Sequence, residues 1–260
     1  MLESKSIYII REAYYQYKDL ALLWSIGKDS TTLLWLCRKA FFGKIPFPVL
    51  HIDTSYKFPE IIRFRDEYAR KLGLNLIIAR NNKAIGQGMF PGNKLECCKA
   101  LKTDALKMAI TDHNFKALLV GIRRDEHGIR AKERHFSPRD SQFRWNYMDQ
   151  SPELWDYHKS MHDEEHHVRV HPLLHWTELD IWEYIKREDI PTIGLYFAKG
   201  GKRYRSIGCE CCCSPMISEA DDIDKIIKEL KSTKTSERQG RSQDKEDSNT
   251  MQKLRSLGYM

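Results

Sequence analysis

A chain of 260 residues with 41% hydrophobic content has material for one substantial core, and it holds no apolar run long enough to cross a bilayer. Nothing in it resembles a secretory signal, so a soluble, cytoplasmic protein with no membrane partner is expected. Forty-three Lys and Arg against 36 Asp and Glu give a formal charge of +7, which suits a polyanionic ligand such as ATP or a nearby nucleic acid, although excess charge also serves solubility alone.

In chain order, Leu20-Ala21-Leu22-Leu23-Trp24 has the length and apolarity of a buried strand, and Leu33, Leu34, Leu36 and Cys37 recur at helical spacing. Between them lies the turn Ser25-Ile26-Gly27-Lys28-Asp29-Ser30-Thr31. Phe47 to Asp53 reads as a second strand ending at a carboxylate, where ligands of open α/β sheets gather. A helix starts near Pro59, carries Ile61, Ile62, Phe64, Arg65 and Tyr68, and stops at Gly73. Leu74 to Ala79 is a third strand, Leu101 to Ile110 a helix, and Ala117 to Gly121 a fourth strand. This alternation predicts an α/β fold, a doubly wound and mostly parallel sheet flanked by helices. Val168 to Pro172 reads as a further short strand. Thr177 to Glu188 reads as a helix capped by Thr177, with Asp180 where a capping box strictly asks for Glu or Gln. From Ser232 the chain is polar until Met251-Gln252-Lys253-Leu254, so residues 1–231 are expected to form the domain and 232–260 a C-terminal tail lying on the core or on a partner. No internal repeat is visible.

A strand, a small polar turn and a helix start form a natural phosphate site, because unpaired amide N–H groups and the positive end of the helix dipole meet there. Gly27 permits close approach, Lys28 adds charge, and Ser25, Ser30 and Thr31 supply hydroxyls. The string is not a Walker loop, since no glycine stands five residues before Gly27 and Asp29 follows the lysine. An ordinary capped turn is the plainer alternative. Ser-x-Gly-Lys-Asp-Ser after a strand instead resembles the PP-loop of the ATP pyrophosphatases, of adenine nucleotide alpha hydrolase-like fold, which cleave ATP between its α and β phosphates.

Further strings stand in one order with that loop: Phe47 to Thr54, Gly121-Ile122-Arg123-Arg124-Asp125-Glu126, Arg130-Ala131-Lys132-Glu133-Arg134, Pro152-Glu153-Leu154-Trp155, Trp176 to Trp182, and Thr235-Ser236-Glu237-Arg238-Gln239-Gly240-Arg241. Together they resemble the small subunit of bacterial sulfate adenylyltransferase, within the phosphoadenylyl-sulfate reductase family. The resemblance implies ATP held by Ser25, Gly27, Lys28, Asp29, Ser30 and Thr31, with Asp53 near the ribose or a magnesium ion. It implies that Lys28, Arg123, Arg124 and Arg130 act on the reacting phosphates, and that a GTPase subunit is the partner. Adenylyl transfer needs fixed positive charge around oxygens that gain charge in the transition state, which guanidinium forks provide. Lys132 and Arg134 are further candidates, and part of this basic set is expected to be only a solvated face.

Six of the seven cysteines fall in two clusters, Cys97-Cys98 and Cys209-Glu210-Cys211-Cys212-Cys213, while Cys37 sits on the apolar face of the loop helix. With no secretion signal, metal or sulfur chemistry is the natural alternative to disulfides. Cys97, Cys98, Cys209 and Cys212 supply the four thiolates of a [4Fe-4S] cluster or, less suitably for a vicinal pair, of a zinc site. Sulfate adenylyltransferase small subunits generally lack this set, whereas reductases of adenylyl sulfate carry a similar one; those also need a C-terminal nucleophilic cysteine, and none follows Cys213 here. The ATP pyrophosphatases of DNA phosphorothioation systems combine both features and work beside a cysteine desulfurase. They imply activation of a DNA backbone phosphate for sulfur insertion, with Cys211 and Cys213 as sulfur carriers or spare ligands. That is the first functional expectation; sulfate adenylylation is the second, and an ATP-responsive docking scaffold whose cysteines hold a structural metal is the non-enzymatic alternative; an oligomer is also possible. His162, His166 and His167 with Asp163, Glu164 and Glu165 lack a metal-site order and read as a solvated loop.

Overall fold

The computed structural model describes residues 1–92, 94–128, 130–148, 150, 152–153, 165–233, 235, 237–240 and 258. An unanticipated helix, α1 (Leu2–Gln16), opens the chain and is followed by β1 (Leu20–Leu23), α2 (Lys28–Ala40), β2 (Val49–Ile52), α3 (Pro59–Lys71) and β3 (Leu76–Ala79). Then come α4 (Asn82–Gly86), α5 (Lys94–Cys98), a π-helical turn Lys99–Asp104, α6 (Ala105–Asp112), β4 (Ala117–Val120), β5 (Phe136–Asp140), β6 (Glu165–Val170) and α7 (Glu178–Arg187). A short hairpin, β7 (Lys202–Arg203) and β8 (Met216–Ile217), precedes α8 (Ile223–Ser232).

The main sheet runs β3-β2-β1-β4-β6-β5, parallel except for β5, which pairs antiparallel with β6 at the edge. The expected doubly wound architecture is therefore present. Period-two alternation decides which face each strand residue covers. Leu20 and Leu22 of β1, with Ala117 and Leu119 of β4, join a core under α1, α2 and α7; Ala21, Leu23, Leu118 and Val120 face a second core under α6. Pro59 starts α3, and Gly73, at φ +60°, turns the chain out of it as the sequence suggests. At α7, Thr177 accepts the Asp180 amide and Asp180 accepts the Thr177 amide, so Asp completes a reciprocal capping box that the strict rule reserves for longer side chains.

Other local expectations shift. The helix read over Leu101 to Ile110 begins earlier, at Lys94, and is interrupted by the π-helical turn, an irregularity that hydrophobic spacing does not encode. The strand read at Val168 to Pro172 is β6, displaced toward Glu165, and it buries His167 beside Phe143, so the described part of the His- and acid-rich stretch is not a solvated loop. His162, Asp163 and Glu164 lie outside the described residues, as do Leu154, Trp155, Arg241 and Met251 to Leu254.

Because β2 lies on one side of β1 and β4 on the other, the chain leaves β1 and β4 in opposite directions and a crevice opens at their C-terminal ends. The N-terminus of α2 sits against the end of β4 there. A Cβ on Gly121 would fall 3.1 Å from both the Cα and the N of Ser30, backbone atoms that cannot yield without moving the helix. Gly121→Ala is therefore expected to lower unfolding free energy by about 1–3 kcal/mol in denaturant titration. Gly86→Ala, whose Cβ would meet nothing within 4 Å, serves as the control and is expected to cost nothing.

Candidate nucleotide site

The crevice is lined on one side by Leu23, Trp24 and Ile52 and by Val120 and Ile122, apolar groups from the ends of β1, β2 and β4. Ser25, Gly27, Lys28, Asp29 and Ser30 form the floor. The turn is held by its own side chains: Ser25 and Ser30 hydroxyls lie 3.0 Å apart, Ser30 Oγ donates to Gly27 O at 3.1 Å, and Trp24 Nε1 donates to Thr31 Oγ1 at 3.1 Å. Its left-handed residue is Ile26, at φ +67° and buried, while Gly27 is extended at φ −72°. The apolar anchoring of Ile26 thus holds a backbone conformation that costs on the order of 1–3 kcal/mol for a non-glycine residue. No side chain of α2 caps its own N-terminus; the Lys28 amide instead donates to the buried Tyr196 hydroxyl at 2.9 Å.

Lys28 is 1% exposed and Arg123, just past β4, is fully buried. Around them converge carboxylates from four separate segments. Lys28 Nζ pairs with Asp29 at 3.2 Å and with Glu237, and lies 4.0 Å from Glu178. Arg123 pairs with Asp29, with Glu237 and with Asp125 at 2.9 Å. Asp125 in turn accepts the Glu178 amide at 2.8 Å, which fixes the start of α7 beside the crevice. Arg205 grips Glu178 at 2.7 Å, and Glu126 joins Arg130 to Arg238, the latter at 3.1 Å. Burial alone would raise the Glu237 carboxyl, but Arg123 and Lys28 outweigh it and hold the group far below the ordinary carboxylate range.

Of the residues singled out in the sequence, Ser25, Gly27, Lys28, Asp29, Ser30 and Arg130 line the crevice. Thr31 lies beneath the loop on the Trp24 indole, and Arg123 lies behind Lys28. Arg124 turns elsewhere, toward His175 at 2.9 Å and the Glu133 carbonyl. Lys132 is exposed over the Tyr147 ring. Asp53 ends β2 but is bound to Arg80 and the Ser55 amide; although burial pushes its carboxyl upward, these partners hold it below the usual range. The sequence reading passed over Tyr196, Lys57, Lys102, Glu126, Glu178, Arg205, Glu237 and Arg238. Glu237 and Arg238 stand in a string noted only for its resemblance.

The two cysteine clusters meet at the far end of the crevice, where Lys57, Lys102 and Gly208 line it. The cysteine loop hangs between β7 and β8 and docks on the segment after β2, through Glu210 N to Tyr56 O at 2.8 Å and a bridge between Lys57 and Cys209. Cys209 Sγ lies 3.2 Å from Thr54 Oγ1. Its burial disfavours the thiolate, yet Lys102, Lys57 and Thr54 together lower its pKa. Cys97 is hydrogen-bonded to Cys98 and feels the charge of Cys212, and its thiol is pushed upward by that bond and by burial. Cys211 is pushed up to about 12, first by burial and then by Cys212, whose sulfur is 3.8 Å away. All seven cysteines are unlinked, and Cys37 is in the core with a strongly raised pKa caused by burial. Among the described residues, no three His, Cys, Asp or Glu side chains form a group that could hold a metal ion. No helix among them is long and apolar enough to cross a membrane.

A parallel sheet whose switch-point crevice is floored by this loop defines an α/β protein of the PP-loop, adenine nucleotide alpha hydrolase-like class. In agreement, the fold resembles an FMN adenylyltransferase of Candida glabrata with a TM-score of 0.59 at 18% identity, over 82% of this chain and 62%, less than two thirds, of that one. A phosphoadenylyl-sulfate reductase of Candida auris gives 0.54 at 16% identity, over 78% and 90% of the two chains. The chain belongs to the family of the phosphoadenosine phosphosulfate reductase domain, whose model matches residues 19–215. Proteins named sulfate adenylyltransferase subunit 2 are 42% identical in Saccharophagus degradans and 41% in a Shewanella species, each across 99% of this chain and 96% of the relative. These relatives are nucleotide-using enzymes of sulfur metabolism.

His51, buried in β2, donates Nδ1–H to the Trp24 carbonyl at 2.9 Å, immediately before the loop. Burial, then the nearby Lys57 charge, lowers its pKa from 6.5 to about 3. Between these values the unfolded chain binds a proton that the native protein does not, so stability falls as pH drops below about 6.5. His51→Gln is expected to flatten the pH dependence of the unfolding free energy between about pH 6.5 and 4.5, read from denaturant titrations.

Proposed function

We propose that this chain binds ATP in the crevice, cleaves it between the α and β phosphates, and transfers the adenylyl group to sulfate. The observation that carries this reading is the end-to-end similarity to sulfate adenylyltransferase subunits 2, joined to a phosphate-sized floor at the switch point. The adenine and ribose would lie against Trp24, Ile52, Val120 and Ile122, with the phosphates over the start of α2. A sulfate oxygen attacks the α-phosphorus, the bond to the bridging oxygen of the β-phosphate breaks, and pyrophosphate leaves with that electron pair. Lys28 and Arg130 supply charge to the phosphoryl oxygens, and Arg123 supports Lys28 and Asp29 from behind. Magnesium arrives with ATP as part of the substrate; Asp29, which lines the crevice, is the loop carboxylate placed to meet it, although Lys28 and Arg123 pair with it, as Arg80 does with Asp53. Resemblance to a small subunit implies a GTPase-bearing partner.

Lys28→Ala is expected to lower kcat/KM for sulfate-dependent pyrophosphate release by about 10²–10³-fold. Calorimetry with magnesium-ATP provides a check that needs no partner subunit. Unchanged ATP affinity in Lys28→Ala, or pyrophosphate release indifferent to sulfate, would reject this assignment.

One observation favours a second acceptor. The four thiols Cys97, Cys98, Cys209 and Cys212 share one neighbourhood at the crevice end beside Lys57 and Lys102, a feature suited to sulfur insertion into a DNA phosphate with a cysteine desulfurase as partner. Thiols are suitable donors for a [4Fe-4S] cluster and for zinc, but they are not arranged as a coordination set, so no step is derived through a metal. On this second reading, protein purified without oxygen is expected to carry about four irons and four sulfides, lost in Cys98→Ser. Metal-free protein with seven thiols titratable after denaturation would remove this reading and leave sulfate.

A further inference from the structure

Five cations about the loop are matched by carboxylates of the chain itself: Lys28 and Arg123 by Glu237, Arg130 and Arg238 by Glu126, Arg205 by Glu178. Triphosphate oxygens require such positive charge, so a nucleotide bound over the loop competes with these carboxylates for it. Of these carboxylates, Glu237 differs in its origin. Asp29, Asp125, Glu126 and Glu178 belong to the loop helix, the turn after β4 or the start of α7, all fixed by the sheet and the capping box. Glu237 arrives from a short 3-10 turn, Glu237–Gly240, beyond α8. That turn is tied to the fold by Arg205, which donates to the Thr235 carbonyl at 2.8 Å, and by Arg238 on Glu126.

Glu237 nevertheless lines the crevice beside Lys28. It is 8% exposed and places one carboxylate oxygen on Lys28 Nζ and the other on Arg123 Nη2. Two anionic oxygens bridging the loop lysine and the arginine behind it reproduce the acceptor pattern of a phosphoryl group. Its charge is stabilised by the same two cations that a polyphosphate would take.

We propose that Glu237 is an internal occupant of the phosphate site, exchanged for the oxygens of the incoming triphosphate, so that nucleotide binding and release of the 237–240 segment are one coupled event. The proposal rests on the nucleotide reading of the crevice. Binding is then a competition, and the apparent affinity is lowered by the fraction of molecules in which the segment is seated. The displaced segment, with Arg238 freed from Glu126 or carried with it, becomes a surface that differs between the empty and the loaded protein.

Calorimetry on the full chain with magnesium-ATP, and separately with inorganic pyrophosphate, tests the competition. Glu237→Gln keeps the shape but removes the charge, and is expected to bind both ligands about five- to tenfold more tightly. Its melting temperature without ligand is expected to fall, because two buried cations lose their partner, and to rise on adding pyrophosphate by more than that of the unaltered protein. In the unaltered protein, amide hydrogen exchange across 237–240 is expected to accelerate on adding ATP, a readout that does not depend on the variant folding. Equal or weaker binding by Glu237→Gln, or slower exchange across 237–240 with ATP, overturns the proposal alone and makes Glu237 part of the loaded site. Failure of both proteins to bind either ligand overturns the nucleotide reading and this inference with it.

Discussion

Two buried cations at the C-terminal edge of the sheet, Lys28 and Arg123, are the constraint around which the rest of the molecule is arranged. A charge removed from water must be paired, and leaving one such partner unmade costs about 3–5 kcal/mol. The partners here come from the start of α2, the turn after β4, the start of α7 and the segment after α8. Elements distant in sequence are thereby tied to one point. The same pairing explains why α7 begins where it does, since its first amide is held by Asp125, the carboxylate that also braces Arg123.

The doubly wound sheet makes this concentration possible. Strands parallel to β1 deliver their following loops to one edge, and the reversal between β1 and β4 leaves room there for a ligand. Gly121 lets α2 seat against β4, Ile26 is held in a left-handed turn by its own burial, and Tyr196 takes the first amide of α2. The loop is shaped before any nucleotide arrives, which reduces the ordering cost of binding.

At the opposite end of the crevice the chemistry changes from guanidinium and carboxylate to ammonium and thiol. Lys57 and Lys102 serve both regions: they line the crevice and also stabilise the Cys209 thiolate. The π-helical turn Lys99–Asp104 contributes to this arrangement, because it joins Cys97 and Cys98 at the end of α5 to the buried Lys102.

Much of this was legible in one dimension. The apolar runs from Leu20, Phe47, Leu74 and Ala117, the Pro59 and Gly73 boundaries, and the Ser-x-Gly-Lys-Asp-Ser turn follow from local sterics and hydrophobic period, which act within a few residues and so are written in order along the chain. The edge pairing of β5 with β6 and the π-helical turn were not legible, because short segments take their form from what they pack against, whereas the helices α1 and α8 carry apolar residues at helical spacing that the reading passed over. The arginines divide by the same reason. Arg123, Arg124 and Arg130 look equivalent within one basic string, but the twist of the chain after β4 buries the first, turns the second to His175 and presents the third to the crevice. The sequence by itself determined the sheet, the loop and the kinds of group available to bind an anion. Only the tertiary structure decided that Glu237, 209 residues from Lys28, closes the charge balance of the site, since electrostatic pairing of buried groups depends on distance in space and leaves no trace in local spacing.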